Sequence, residues 1–191
     1  WIGDWDARTS RDFTTGLTDG SGTQTLSGEP GWYATEVSLE REFDNHTLAF
    51  GAGASLYETS SDTRSTANWR LAASPVFSTA TYGKTENRGI WIEDEFQLET
   101  WRITAGARAD QWRAFDGGIA KAFSNRRVDD RYASRSDNSV SPKLSAIRQL
   151  TDRIDLQVSL GQATRFPTVG ELYQGRFDDI TQAIDRQSFD P

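Results

Sequence analysis

The sequence predicts an antiparallel all-β fold, part of the wall of a large transmembrane β-barrel. Three observations carry this. Apolar residues recur at every second position in segment after segment, tight turns alternate with long polar stretches, and the second face of each segment mixes glycine with charge. Successive strand side chains point to opposite faces, so a period of two separates an apolar side from a wet one.

Taken in order, Trp1–Arg8 reads as the tail of a strand. Tyr33, Thr35, Val37 and Leu39 alternate with Ala34, Glu36, Ser38 and Glu40. Leu48, Phe50, Ala52, Ala54 and Leu56 alternate with Ala49, Gly51, Gly53, Ser55 and Tyr57. Ile90, Ile92, Phe96 and Leu98 alternate with Trp91, Glu93, Glu95 and Gln97, and Asp94 breaks the apolar face. The clearest segment puts Trp101, Ile103, Ala105, Ala107 and Ala109 on one side and Arg102, Thr104, Gly106, Arg108 and Asp110 on the other. A helix would bring Arg102 beside Ala105 and Gly106 and spread the charge around the cylinder. Val140, Pro142, Leu144 and Ala146 alternate with Ser141, Lys143 and Ser145, and Ile154, Leu156, Val158 and Leu160 with Asp155, Gln157, Ser159 and Gly161. This makes about seven strands and no convincing helix.

The connections support a barrel over a sandwich. Asp44-Asn45-His46, Glu99-Thr100 and Thr151-Asp152 are tight turns built from turn formers. Polar stretches at 13–31, 59–86 and 116–137 read as long loops. Short periplasmic turns and long extracellular loops are the rhythm of an outer-membrane barrel, whereas a soluble sandwich keeps most connections short. Gly51, Gly53, Gly106 and Gly161 beside charges suit a wall facing a plug or wet lumen, and Trp101, next to a tight turn, suits the interfacial aromatic girdle.

Composition narrows the function. With 7 Trp, 5 Tyr and 10 Phe the chain is too aromatic for disorder. A mean hydropathy of −0.65 fits a barrel, whose strands expose apolar groups only at alternate positions. There is no Cys, which removes disulfides, thiolate metal sites and Cys nucleophiles, and a single His, His46, argues against a His-cluster metal site or Ser-His-Asp catalysis; no cofactor is implied. A net charge of −7 argues against nucleic acid as the main partner. The first residue is Trp1, and the expectation is a piece of a longer polypeptide.

The string Gln162-Ala163-Thr164-Arg165-Phe166-Pro167-Thr168-Val169-Gly170-Glu171-Leu172-Tyr173 resembles the Phe-Arg-x-Pro-Thr-x-x-Glu-Leu-Tyr signature of TonB-dependent outer-membrane receptors, with Thr164 in place of the usual aromatic. Three upstream pieces agree in order and spacing. Ile92-Glu93-Asp94-Glu95-Phe96 resembles the family's Gln-Asp-Glu-Trp strand. Ala105-Gly106-Ala107-Arg108-Ala109-Asp110 resembles its Ala-Gly-Leu-Arg-Tyr-Asp strand, and Ser141-Pro142-Lys143-Leu144 its Ser-Pro-Lys-Leu strand. Phe189-Asp190-Pro191 stops where the family's Asn-Pro-x-Leu-Lys-Pro-Glu segment would start. The motifs cover 87–191; residues 1–86 share only the rhythm.

The resemblance implies that residues 1–191 are part of a receptor barrel domain, with the plug domain and the remaining strands outside them. It implies TonB-dependent uptake of a scarce solute, a ferric siderophore above other ligands, across the outer membrane of a Gram-negative bacterium. The partners would be outer-membrane lipid, the iron chelate and, through the plug, the inner-membrane TonB complex. The alternative is a soluble β-sandwich that binds carbohydrate. Asp94, Glu95, Arg108, Asp110, Pro142, Lys143, Pro167, Thr168, Glu171 and Leu172 would be structural residues of the family motifs. Arg126, Arg127 and Arg131, in a stretch that also holds Lys121, Arg135, Asp129 and Asp130, are candidates for capturing an anionic chelate, because Arg binds carboxylates bidentately; a solvated mixed-charge loop is the plainer reading. Arg165 and Tyr173 are weaker ligand candidates: Arg165 reads as tying down the loop root through a carboxylate such as Glu171, and Tyr173 as packing. His46 reads as a solvated turn residue. Glu93 and Glu95 share the lumen face and read as partners of Arg102 or Arg108 rather than as a catalytic pair, so no enzyme activity is expected.

Overall fold

The computed structural model describes residues 5–10, 20–173 and 175–186. One antiparallel sheet dominates. Its strands are β1 (Trp5–Ser10), β2 (Gly22–Phe43), β3 (His46–Thr66), β4 (Val76–Leu98), β5 (Trp101–Ala122), β6 (Arg127–Arg131), β7 (Arg135–Thr151) and β8 (Ile154–Gly161). Neighbours in sequence are neighbours in space, in the order β1-β2-β3-β4-β5-β7-β8, with β6 pairing the far end of β5. A single helical turn, α1 (Val169–Leu172), and a separate hairpin of β9 (Gly175–Asp178) and β10 (Ala183–Arg186) follow. Of the expected first strand, Trp5–Arg8 falls in β1 and Trp1–Asp4 lie outside the described residues, as does Phe189-Asp190-Pro191.

The register places the expected faces together. Val37, Ala52, Ile90, Ala109 and Val140 form one cross-strand row, and Leu39, Phe50, Ile92, Ala107 and Pro142 the next. The large members of this face are exposed, Val37, Ile90, Val140 and Leu160 among them, which is how a lipid-facing surface looks when the lipid is not part of the structure. From the tight turn to its last outward apolar residue, β5 runs over 101–109, β4 over 90–98 and β7 over 140–150. Each matches the roughly 9–11 residues that a tilted strand needs to cross the hydrocarbon. Two turns join their strands through two residues, Asp44-Asn45 and Glu99-Thr100, whose first members have φ of 51° and 44°. That hand matches the twist of the flanking strands. The third turn is Asp152-Arg153, one residue later than expected, because Thr151 pairs with Ile154.

The long polar stretches are a correction. Strand β2 begins at Gly22, β3 continues to Thr66, β4 begins at Val76 and β5 runs to Ala122, so most of 22–31, 59–86 and 116–137 is ladder rather than loop. True connections are short, at 67–75, 123–126 and 132–134. Strands of 22, 21, 23 and 22 residues far exceed the hydrocarbon: at ~3.3 Å per residue and a ~40° tilt, 22 residues span about 55 Å, twice the apolar band of ~25 Å. Above that band no lipid meets the outer face, and the lumen face is partly covered by the chain after β8. The sequence then loses its alternation while the backbone keeps its hydrogen bonds. The helical turn α1 is a second departure, since no helix was expected.

Candidate functional site

The lumen face of the wall is a lattice of ion pairs and small residues. Glu95 reaches Arg102 at 3.7 Å, the partner expected for it, whereas Glu93 pairs with Lys143. Arg108 does not take either glutamate: its Nε donates to both carboxylate oxygens of Asp110 at 2.8 and 2.9 Å. Asp110 is only 8% exposed, and an added methyl on Gly89 would collide with this pair, so the glycine makes room for it. Gly51 does the same for Trp91, whose indole lies against it and donates from Nε1 to Glu36 at 3.2 Å. Pro142 stands where the β7–β8 ladder ends at Lys143–Gly161, the kind of place where its missing donor is tolerated, and its carbonyl accepts from Gln162 at 3.0 Å.

Above the apolar belt, the motif segment folds back onto this same face. Pro167 precedes α1, where its fixed φ suits a chain about to turn. Val169 (0% exposed), Leu172 and Tyr173 (3%) form a core with Trp112 and Ala114 of β5. Phe166 stacks on Trp112 at 5.6 Å and 5°, and Tyr132 meets Tyr173 edge-on at 5.1 Å. The Tyr173 ring occupies the space that side chains on Gly83 and Gly117 would fill. Neither glycine is there for an unusual φ; both are there for close approach. Burial pushes the Tyr173 phenol pKa up from its ordinary value.

Glu171 is the knot of the segment. Arg165 Nη1 and Nη2 donate to its two oxygens at 3.1 and 2.9 Å, and the Thr168 N–H and hydroxyl donate at 2.8 and 3.1 Å. The guanidinium first, then Thr168, hold the Glu171 carboxyl at about 2, below its ordinary 4.5. Arg165 is otherwise 74% exposed on its side chain.

The remaining candidates separate. Arg127 and Arg131 of β6 pair opposite Ala122 and Gly118, and Gly118 stands opposite Tyr82, so both arginines lie on the outer face, not in the lumen. Arg127 reaches Asp129 at 3.7 Å and rests over Phe77 at 4.2 Å. Arg126, in the β5–β6 turn, donates to the carbonyl of Gln182 at 2.7 Å, and Lys121 binds Asp179 at 2.8 Å and lies over Phe177 at 4.6 Å. These contacts strap the β9–β10 hairpin to the tip of the wall. His46 is not a solvated turn residue. It opens β3, stacks between Phe43 (6.0 Å) and Phe96 (4.5 Å), and its Nδ1 lies 2.9 Å from Asp94 on the apolar face. The glycine slot at 83 and 117 escaped the sequence reading; two glycines in otherwise polar stretches were its only mark. The described residues contain no group of three acidic, His or Cys side chains placed to hold a metal ion.

A family model described as TonB dependent receptor-like, beta-barrel, matches residues 2–191. No curated protein and no solved structure matches the chain. The match spans both the strands with motifs and those known only by their rhythm, and it agrees with the curled antiparallel wall. The chain belongs to the TonB-dependent receptor-like β-barrel family, whose members sit in the outer membrane of Gram-negative bacteria.

Proposed function

We propose that this wall belongs to a receptor that takes up a ferric siderophore, driven by the TonB complex of the inner membrane acting through a plug domain. The energy is supplied by that complex, and the wall itself catalyses no reaction. The observation that carries the reading is the seat of residues 162–173 and 175–186. They occupy the lumen side beyond the apolar belt, where an arriving solute meets the wall, and the exposed Arg126 joins them there at Gln182, while Arg165 is taken up by Glu171. An exposed guanidinium at a mouth suits a chelate that carries anionic oxygens. Arg127 and Arg131 are left out of this reading because they face outward.

The test is uptake of radiolabelled ferric chelates by cells that carry the complete receptor. Uptake of one chelate, abolished when the TonB complex is removed, is the expected result. TonB-dependent uptake of cobalamin or an oligosaccharide with no chelate transported would overturn the choice of ligand and keep the receptor. Uptake that persists without the TonB complex would overturn the coupling.

A further inference from the structure

The outer face carries a hollow at the upper edge of the apolar belt. Its floor is Ala52, Ala54 and Ala109, and its sides are Val37, Ile90 and Val140, giving a groove of about 660 Å³. Small residues between larger ones make a concavity on what is otherwise a convex surface; its floor and Ile90 lie on β3, β4 and β5, each paired on both sides there, and its other sides, Val37 and Val140, stand on the stretches of β2 and β7 that border the described sheet. One row further up, the side chains turn polar: Thr35, Ala54, Arg88, Gln111 and Asn138 stand in cross-strand register. A second hollow of about 310 Å³ continues from there and shares Arg88 and Gln111.

This second hollow is basic. Arg113 stands directly opposite Glu86, two positions from Arg88 on the neighbouring strand, and lies over Phe115 at 5.0 Å. Arg88 donates to Glu86 at 2.9 and 2.7 Å. Two guanidiniums against one carboxylate leave a net positive charge at the border of the hydrocarbon. Tyr33, exposed and in the same row as Glu86 and Arg113, marks that border as an interfacial aromatic does.

We propose that this composite groove binds one anionic lipid of the surrounding outer leaflet, with an acyl chain along the alanine floor and its phosphate between Arg88 and Arg113. Polarity and direction both fit. The apolar part lies toward the tight turns, which a barrel keeps on the periplasmic side, and the charged part lies at headgroup height. Guanidinium forks bind phosphate oxygens bidentately. Glu86 is the built-in competitor: it holds Arg88 when the lipid is absent and is displaced when the phosphate arrives.

The experiment is native mass spectrometry of the complete receptor in micelles doped with equal amounts of dioleoyl phosphatidylglycerol and dioleoyl phosphatidylcholine. The two lipids share chains and differ in net charge. The wild type should retain the anionic lipid about tenfold over the zwitterionic one, the worth of one charge-assisted contact. Arg88→Gln with Arg113→Gln should erase that preference, and Glu86→Gln should raise it. Ala109→Trp, which fills the floor, should reduce retention of both lipids. Equal retention of the two lipids by the wild type, or a preference that none of these exchanges moves, would overturn the proposal. Heat-modifiable folding of each variant separates lost binding from lost structure, and neither result bears on the transported solute.

Discussion

Tyr173 lies in a slot that exists only because Gly83 and Gly117 lack side chains, so the slot is the most demanding single contact in the wall. Gly83→Val should cost about 1–3 kcal/mol, the range of overpacking in a filled site, and should free the motif segment to proteolysis in the complete receptor. Gly170→Ala is the control: nothing lies within 4 Å of the added methyl, so folding should be unchanged or slightly firmer. Equal damage from both would remove the slot from the account. Glu171 gives a pH signature. Its carboxyl is lowered in the fold, so its contribution is fully present above the ordinary 4.5 and is lost as pH falls through about 2. Between those values the wild type should lose protection of 165–173 against proteolysis, while Glu171→Gln, already without the charge, should show little change. Arg165→Ala should lower assembly more than it alters solute specificity; normal surface levels with selective loss of binding would move Arg165 into the binding site. The Arg165–Glu171 pairing was legible in the sequence because both ends belong to one short motif. The place of His46 was not, because the aromatic bracket comes from three strands and only Phe43 is near in sequence.

On the level of elements, the two faces make opposite demands. Leu160→Arg or Ala105→Arg, in one row with Leu144 at mid-height of the belt, puts a charge on the lipid side and should cost roughly 2–4 kcal/mol. Asp155→Arg or Thr104→Arg, on the lumen side, should be milder. Equal losses in heat-modifiable folding would undo the assignment of faces. A Cys placed at Ser124 should react with an impermeant reagent on intact cells and one at Thr151 should not; the native chain has no Cys to confuse the reading. The strand cores were legible because lipid on one side and a polar lumen on the other write alternation into the residues. The upper halves of β2 to β5 were misread as loops because no lipid writes alternation on their outer face there, while the ladders continue past three register shifts. Glu58 and Lys84, for example, pair across β3 and β4 at 3.1 Å in a stretch with no apolar face to betray it. A wet ladder should show itself in hydrogen exchange: amides of 59–65, in the ladder to β4, should exchange far more slowly than those of Ser124 and Asn125 in the β5–β6 turn. Matching rates would restore the loop.

The whole wall, as described, has open borders. Strand β1 pairs only with 22–27 of β2, so the lower half of β2 has β3 alone, and β8 has only β7. Lipid supplies no donors or acceptors, and each unpaired backbone group there costs several kcal/mol. Residues 1–191 expressed alone should therefore aggregate or need denaturant and should bind no chelate. A monodisperse detergent-free preparation with cooperative unfolding would instead restore the sandwich.

In the main path of the sheet each strand's partner is the next strand in the chain, apart from the short detour through β6. Three of those joints are two-residue turns. The entropy of loop closure is thus met in small instalments, one hairpin at a time. The same arrangement makes the girth of such a wall a matter of counting. Taking out or duplicating an up-and-down pair at a tight turn preserves parity and leaves every remaining strand with both its faces correctly aimed. A lineage can therefore widen or narrow its pore in steps of two strands without rewriting the residues that meet lipid.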